Sequence, residues 1–322
     1  MTLPPWAAKL FARPWMGPLL GLVVVYVLIG AATGGDFLRP VTQATIARQT
    51  VVVGLASVGM TLVIVTGGID LSVGSIVALV AVVVAKTLDG GSGPLTAAAV
   101  GVVAGLGCGV LNGVLVSGLR IGPFIVTLGT MSVFRGVAKG VADQQKIDAP
   151  AQGLDELMAM LPAGSPMLVP LGVWATVVLA VVGSVVLDRA RIGRWFVAVG
   201  SNQAAARLAG LPVGWARLAA YAIAGLLAGV AGVMDFAKLT VGDPTGSAGL
   251  ELSVIAAVVI GGGSLAGGQG SIPGTMIGAV LMTVLATGAT QLGVANWVQE
   301  ILTGVIIIGA VGLDRLRHAR AD

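Results

Sequence analysis

The sequence predicts an all-α fold, a polytopic membrane protein with about ten transmembrane segments, some of them short or broken. Three observations carry this. Hydrophobic residues make up 56% of the chain and charged residues only 10%, with a mean hydropathy of +1.00; a soluble domain carries about 25% charge. The apolar residues fall into runs long enough to cross a bilayer, about 17–25 residues each. The chain has 50 glycines, as expected where helices pack closely with no hydrophobic force between them. Aromatic residues are 4%, so a broad tryptophan and tyrosine belt is not expected.

Taken in order, the first span is about Gly17 to Thr33, entered past Pro14 and Pro18. Residues Met1 to Pro18 hold Lys9, Arg13 and several prolines, and no separate short apolar core with a cleavage site, so this run reads as a retained anchor. A polar loop with Asp36 and Arg39 leads to the second span, Ile46 to Thr66. A short helix follows over Ser72 to Ala85, then a loop, Lys86 to Pro94. At ~1.5 Å per residue the short helix is about 21 Å long, so it either re-enters or spans with help from the break before it. The next span, Leu95 to Ser117, has Gly101, Gly105, Gly109 and Gly113 at every fourth position, which places a groove for another helix on one face. Pro123 opens Phe124 to Ala142. The hydrophilic loop Asp143 to Pro166 has helical propensity over Gly153 to Met160. Spans over Leu168 to Leu187 and Val213 to Phe236 flank a basic loop, 188–212. The loop Lys238 to Gly249, a short apolar segment, Leu252 to Gly261, and spans Ile272 to Ala289 and Val294 to Leu313 complete the chain. Whether 72–85 and 251–266 span or re-enter is open. The domains are therefore 1–16, 17–313 and 314–322.

The net charge of +4 and pI near 9.6 reflect loop arginines, not a nucleic-acid surface. With the N-terminus inside, eleven basic residues face the cytoplasm: Lys9, Arg13, Arg120, Arg189, Arg191, Arg194, Arg207, Arg217, Arg315, Arg317 and Arg320. Six face outward: Arg39, Arg48, Lys86, Lys139, Lys146 and Lys238. The excess inside predicts that both termini are cytoplasmic. The lone Cys108 excludes a disulfide or metal cluster, and the lone His318 sits in a basic tail. There is no Gly-Lys pair and so no phosphate-binding P-loop; any ATPase must be another chain. No Ser-His-Asp set or mid-membrane carboxylate pair is available. The chain is not expected to be an enzyme or to hold a cofactor or metal.

Two glycine-rich breaks interrupt the apolar pattern. The first reads Gly67-Gly68-Ile69-Asp70-Leu71-Ser72-Val73-Gly74-Ser75 and the second Gly261-Gly262-Gly263-Ser264-Leu265-Ala266-Gly267-Gly268-Gln269-Gly270-Ser271. An ionisable residue at such a break points to function, because hydrocarbon cannot satisfy freed backbone groups. A surface turn with Asp70 or Ser72 capping the next helix is the plainer reading. Both breaks begin with a glycine pair and pass through Gly-Ser-Ile, at Gly74-Ser75-Ile76 and Gly270-Ser271-Ile272. This hints at the matched broken helices of repeat-built transporters. Ile46 to Thr66, about 31 Å as helix, puts the first break at the cytoplasmic end, and the second falls at the same level. Gly67, Gly68, Asp70, Ser72, Gly74, Gly262, Ser264, Gly267 and Gly268 are thus candidate hinge and inner-gate residues.

In the basic loop, Ser201 or Asn202 can cap a short helix, Gln203 to Ala209, closed by Gly210 with Pro212 beyond. It is either a knob for a partner's groove or an interfacial helix resting on lipid. Within Phe124 to Ala142, Thr127 and Thr130 share a face and Arg135 adds a charge. They suit a watery path for a neutral polyol, unless Arg135 snorkels to the interface.

Four stretches resemble a known family, the permease subunits of ribose/xylose-type sugar ABC importers. They are Val65 to Ser75, Pro123 to Thr130, the loop Ala198 to Leu211, and Glu251 to Gly278. The resemblance covers about Val51 to the last span. It implies a fold similar to the vitamin B12-type importer permeases, in the bacterial inner membrane. It implies two permeases, a second copy or a paralogue being the partner, a cytoplasmic ATPase that binds ATP and Mg, and a periplasmic sugar-binding protein. It also implies that Asn202 to Gly210 is the coupling helix, with Ser201, Asn202, Gln203, Ala205, Arg207 and Gly210 its functional residues. The family often has Gly-Asn where Ser201-Asn202 stands and Glu at Gln203; Ser201 should still cap. Alternatives are a branched-chain amino-acid permease, an importer of an autoinducer sugar, and a carrier or channel that needs no ATPase. The particular sugar is not legible.

Overall fold

The computed structural model describes residues 15–119, 121–161 and 169–318. The expectations for Lys9, Arg13, Pro14, Arg120 and Arg320, and for the side chains of Arg315, Arg317 and His318, lie outside the described residues. The helices, in order, are α1 (Met16–Ala32), α2 (Pro40–Val65), α3 (Val73–Asp89), α4 (Pro94–Gly118), α5 (Pro123–Val141), α6 (Leu171–Arg189), α7 (Arg191–Ser201), α8 (Gln203–Leu208), α9 (Val213–Leu239), α10 (Leu250–Ile260), α11 (Ile272–Gln291) and α12 (Asn296–His318). Six of them, α2, α4, α5, α6, α9 and α11, are long and apolar enough to cross a membrane. The shorter helices Met16–Ala32 and Leu250–Ile260 and the segment Asn296–Gly312 are also apolar. The chain is a mostly helical, polytopic integral membrane protein.

Helix α2 is the central post. It packs on α6, α7, α9, α10 and α11, and its side chains from Thr50 to Val65 are buried except Val53. Antiparallel to it, α11 is fastened by paired polar side chains. Thr50 and Thr283 hydroxyls meet at 2.7 Å, and those of Thr61 and Thr275 at 2.9 Å. Thr287 donates to Gln49 at 3.0 Å, and Gln291 to Thr42 at 2.9 Å. Such bonds matter between membrane helices, where no hydrophobic force holds apolar surfaces together. The most extensive helix pair is α4 with α9. The predicted glycine stripe explains it. Gly105 faces Gly225 and Gly229, and Gly109 faces Gly225 and the Tyr221 backbone. The two backbones touch, and any side chain would push them apart.

Several boundaries differ from expectation. Helix α2 begins at Pro40 rather than Ile46, because proline suits the first helical turn and Gln43 satisfies the Phe37 carbonyl at 2.6 Å. Helix α3 runs on to Asp89, about 25 Å, whereas α10 is only about 17 Å and cannot cross alone. The stretch 153–160 is a single 3₁₀ turn, Leu154–Leu157, and not a surface helix. Two short strands add to the expected elements: β1 (Ile147–Asp148) pairs antiparallel with β2 (Val241–Gly242). Two-residue strands carry no periodicity to read. The basic loop is almost wholly helical, as α7 and α8.

Candidate functional site

Both glycine breaks start with the same local structure. After α2, Gly67 takes φ +78°, and the amides of Gly67 and Gly68 bond back to the Ile64 and Val63 carbonyls at 2.8 and 3.0 Å. After α10, Gly262 takes φ +92°, and Gly262 and Gly263 bond to Val259 and Val258 at 3.0 and 2.9 Å. Each is a Schellman end, in which a left-handed glycine lets two amides satisfy the last carbonyls. The likeness stops there. Ser271 caps α11 by accepting from the Gly274 amide at 3.2 Å. Ser75 lies inside α3, and its buried hydroxyl has no hydrogen bond. The Gly-Ser-Ile correspondence is therefore not structural.

The two breaks meet. The Gly268 amide donates to the Val65 carbonyl at 2.9 Å, and Gly267 faces the Gly67 backbone. The last turn of α7 closes the junction. A Cβ on Gly200 would overlap the Val65 carbonyl oxygen and lie 2.5 Å from the Gly268 amide nitrogen. Three chain segments thus touch through backbone alone. Of the candidate hinge residues, Gly67, Gly267 and Gly268 are at this junction. Ser264 lies within the second break, where its carbonyl accepts from the Gly267 amide at 3.0 Å and its hydroxyl from the Ala266 amide at 3.3 Å. Gly74 is elsewhere, with its α-carbon against the Ser247 carbonyl and the Glu251 carboxylate at the start of α10.

Beside the junction, Asp70 is 3% exposed. One of its carboxylate oxygens accepts from the Ser72 amide at 2.8 Å and the Ser72 hydroxyl at 2.6 Å. The Asn112 amide group of α4 donates to Ser72 at 2.8 Å and lies 3.4–3.5 Å from the carboxylate. Asp70 is thus a local turn anchor, and neither it nor Ser72 caps α3 through its side chain in the predicted manner. The Ile69 carbonyl next to it accepts from Tyr221 and Thr127, both at 3.1 Å. Sequence reasoning misses Asn112 and Tyr221, because polar groups scattered singly on apolar helices leave no local pattern.

Helix α7 buries Gly193, Phe196 and Val199 on one face, and Trp195 stacks edge-on against Trp215 of α9 at 6.0 Å. Helix α8 follows directly. Asn202 is its cap, accepting from the Ala205 amide at 2.9 Å; Ser201 ends α7, which corrects the capping role expected for it. Gly210 closes the helix at φ +76°, with Leu211 bonding back to Ala206 at 3.0 Å. Gln203 accepts from Arg217 at 3.1 Å, so a neutral residue keeps a link that glutamate would make ionic. Only Ala206 is buried in α8; Ala205, Arg207 and Leu208 project outward, Leu208 at 91% exposure.

Thr127 and Thr130 do share a face, yet both are buried. Thr127 bonds to the Ile69 and Pro123 carbonyls, and Thr130 to the Thr127 carbonyl. Arg135 donates to the Pro244 and Gly246 carbonyls at 3.0 and 2.6 Å. It fixes the loop between β2 and α10 and does not snorkel. None of the three lines the cavity of about 800 Å³ that lies between α2, α9, that loop, α11 and α12. Gln49, Asp235, Lys238, Ser247 and Ser253 do line it. In sequence, Lys238 reads as a loop charge and Asp235 is a single carboxylate with no pattern around it inside an apolar span.

Comparison with known proteins adds the family. A family model described as branched-chain amino acid transport system / permease component matches residues 43–311. Ribose import permease protein RbsC of Escherichia coli (strain K12) is 37% identical over 312 residues, 96% of this chain and 97% of that protein. The protein of the same name from Bacillus subtilis (strain 168) is 37% identical over 304 residues, 94% of each chain. L-arabinose ABC transporter permease protein AraH of Azospirillum brasilense is 35% identical over 301 residues, 92% of this chain and 88% of its own. No solved structure matches significantly. The chain belongs to this family of transport permease components, among the sugar ABC importer permeases.

Proposed function

We propose that this chain is the membrane subunit of an ABC importer that carries a monosaccharide across the bacterial inner membrane by alternating access. The sugar class comes from the names of its relatives, ribose and L-arabinose permeases. In this reading the end that carries α7 and α8 is cytoplasmic, and so are both termini. The ten helices other than α7 and α8 act as spans or part-spans, with α3 and α10 the short members. A second permease completes the core. A separate ATPase binds ATP and Mg, and a periplasmic binding protein delivers the sugar. This chain supplies no catalytic residue and no cofactor site. Helix α8 is the coupling helix. Its surface is a small protruding face of Ala205, Arg207 and Leu208, and a leucine at 91% exposure suits a partner's apolar groove.

One observation carries the mechanism: Gly200, Val65 and Gly268 touch through backbone. A push on α8 reaches α7 and then both breaks with no soft side chain between. The breaks act as hinges and an inner gate under this reading. The experiment pairs Leu208→Glu with Ala205→Trp in the assembled transporter. Uptake of labelled D-ribose, L-arabinose and D-allose should fall at least tenfold, and the ATPase should cease to co-purify, while the permease still inserts. Unchanged uptake and co-purification would refute the coupling assignment. Uptake by the purified chain alone in liposomes would favour a carrier or channel.

A further inference from the structure

We infer that Asp235, with Ser247 and Lys238, forms a polar contact site for a neutral polyol inside the permease itself. This rests on the proposed sugar reading and deepens it. The site lies in the cavity of about 800 Å³ at the end opposite α7 and α8, a volume in the range of small-molecule sites. Asp235 is 9% exposed and sits in α9, a membrane-spanning helix, where an ionisable side chain is costly unless it has a role. Its partners are close but poorly matched. One carboxylate oxygen is 3.4 Å from the Lys238 ammonium and the other 3.3 Å from the Ser247 hydroxyl. Charge-assisted hydrogen bonds run at about 2.7–2.9 Å, and an ionised carboxylate has about four acceptor positions. Both oxygens therefore retain strong acceptor capacity.

The surroundings select the ligand class. Lys238 lines the cavity beside Asp235, and the two opposite charges cancel, so the pair presents no net positive charge to hold a carboxylate or phosphate. Asp243 also lines the cavity but is paired with Lys146 at 3.0 Å, and Glu300 adds a further negative charge. Anionic solutes, including phosphorylated sugars and the carboxylate of an amino acid, are disfavoured. Gln49 and Ser253 offer groups that both donate and accept, which matches the dual character of sugar hydroxyls. The wall that carries Ser247 is held in place: Arg135 clamps the Pro244 and Gly246 carbonyls, and Asp243 binds the Thr245 amide at 2.8 Å.

The test measures initial uptake of D-ribose, L-arabinose, D-allose and L-leucine by the complete transporter, for wild type, Asp235→Asn, Ser247→Ala and Lys238→Met. Only variants that still co-purify with the ATPase are compared, and Ser247→Ala, the mildest change, decides if Asp235→Asn does not assemble. The expected result is sugar uptake by wild type, with maximal rate reduced at least tenfold in Asp235→Asn and at least threefold in Ser247→Ala. The apparent KM for external sugar should stay within twofold, because capture by the binding protein is untouched. Sugar uptake by wild type with rates within twofold in the assembled variants overturns the site and leaves the sugar reading standing. Uptake of L-leucine and of no sugar overturns both.

Discussion

Gly200→Ala is the sharpest probe of the junction. The new methyl group would sit 2.5 Å from the Gly268 amide nitrogen and 2.9 Å from the Val65 carbonyl carbon, well inside the 3.4–4 Å of ordinary contact. All of these neighbours are backbone, so no rotamer change relieves the overlap. Overpacking of a tight interior costs typically ~1–3 kcal/mol. Separating the segments also loses the bond from the Gly268 amide to the Val65 carbonyl, a further ~1 kcal/mol. The sum, about 2–4 kcal/mol, is offset by at most ~1 kcal/mol of helix propensity for alanine. Gly107→Ala is the control, since nothing lies within 4 Å of its Cβ position and the propensity gain stands alone. The assay is the half-life of the purified permease in detergent, with sugar-stimulated ATPase activity in the assembled complex. Gly200→Ala should shorten the half-life and break the link between sugar and ATP hydrolysis; Gly107→Ala should do neither. Equal behaviour of the two variants would refute the idea that the junction is a tight backbone contact.

Two further outcomes follow from the polar anchors. Asn112→Ala and Ser72→Ala should each destabilise the permease by about 1–3 kcal/mol, since each leaves a buried group short of a partner; because both serve the Asp70 carboxylate, the double variant should lose less than the sum, and strict additivity in thermal denaturation would count against a shared network. At the opposite end, burial works to raise the Asp243 pKa, but the Thr245 hydroxyl and amide and the Lys146 ammonium outweigh it and hold the carboxyl below its ordinary value. The order this lends the loop is fully present above the ordinary aspartate pKa and is lost as pH falls through the lowered one, so a spin label attached beforehand to a cysteine at the exposed Ala248 should gain mobility only under strong acid when Lys146 is present and at a higher pH in the Lys146→Met background.

Much of the fold is legible because its signals are local and repeated. Long apolar runs give the spans, Pro123 gives the start of α5, and glycine pairs mark the two breaks; Pro40 starts α2 in the same way but precedes its apolar run, which begins at Ile46. The four-residue glycine spacing on α4 names an interface, though not its partner. Other features depend on distant residues. The arginine at 135 reads as a path or snorkelling charge until the loop 243–249 is folded beside it, because two backbone carbonyls leave no trace in sequence. Asp235 gains meaning only when Ser247 and Gln49, from the loop and α2, are brought to the same cavity. Helix α7 is hidden by its charges: Arg189, Arg191 and Arg194 suggest a loop, while the buried face of Gly193, Phe196 and Val199 has the three-residue step of a helix. The two breaks lie about 200 residues apart, and their similarity hints at a relation without fixing a contact; only the folded path of α2, α10 and α11 brings Val65 to Gly268.

The junction and the cavity share one helix. Val65, at one end of α2, accepts the bond from Gly268, and Gln49, toward the other, lines the cavity. The 16 steps from Gln49 to Val65 span about 24 Å of helix, and threonine bonds at Thr50 and Thr61 tie that stretch to α11. If α2 and α11 move as one body, displacement of α7 against Val65 must change the cavity wall, with no chain of side-chain rearrangements between. Spatial continuity alone does not establish coupling, but a double-mutant cycle measures it. Gly200→Ala and Asp235→Asn are much farther apart than the ~7–10 Å beyond which independent effects add within ~0.5 kcal/mol. The free energies of sugar-driven ATPase stimulation should therefore deviate from additivity by more than that margin if α2 and α11 are a rigid link. Additivity would mean that the junction at one end and the polyol contacts at the other act independently.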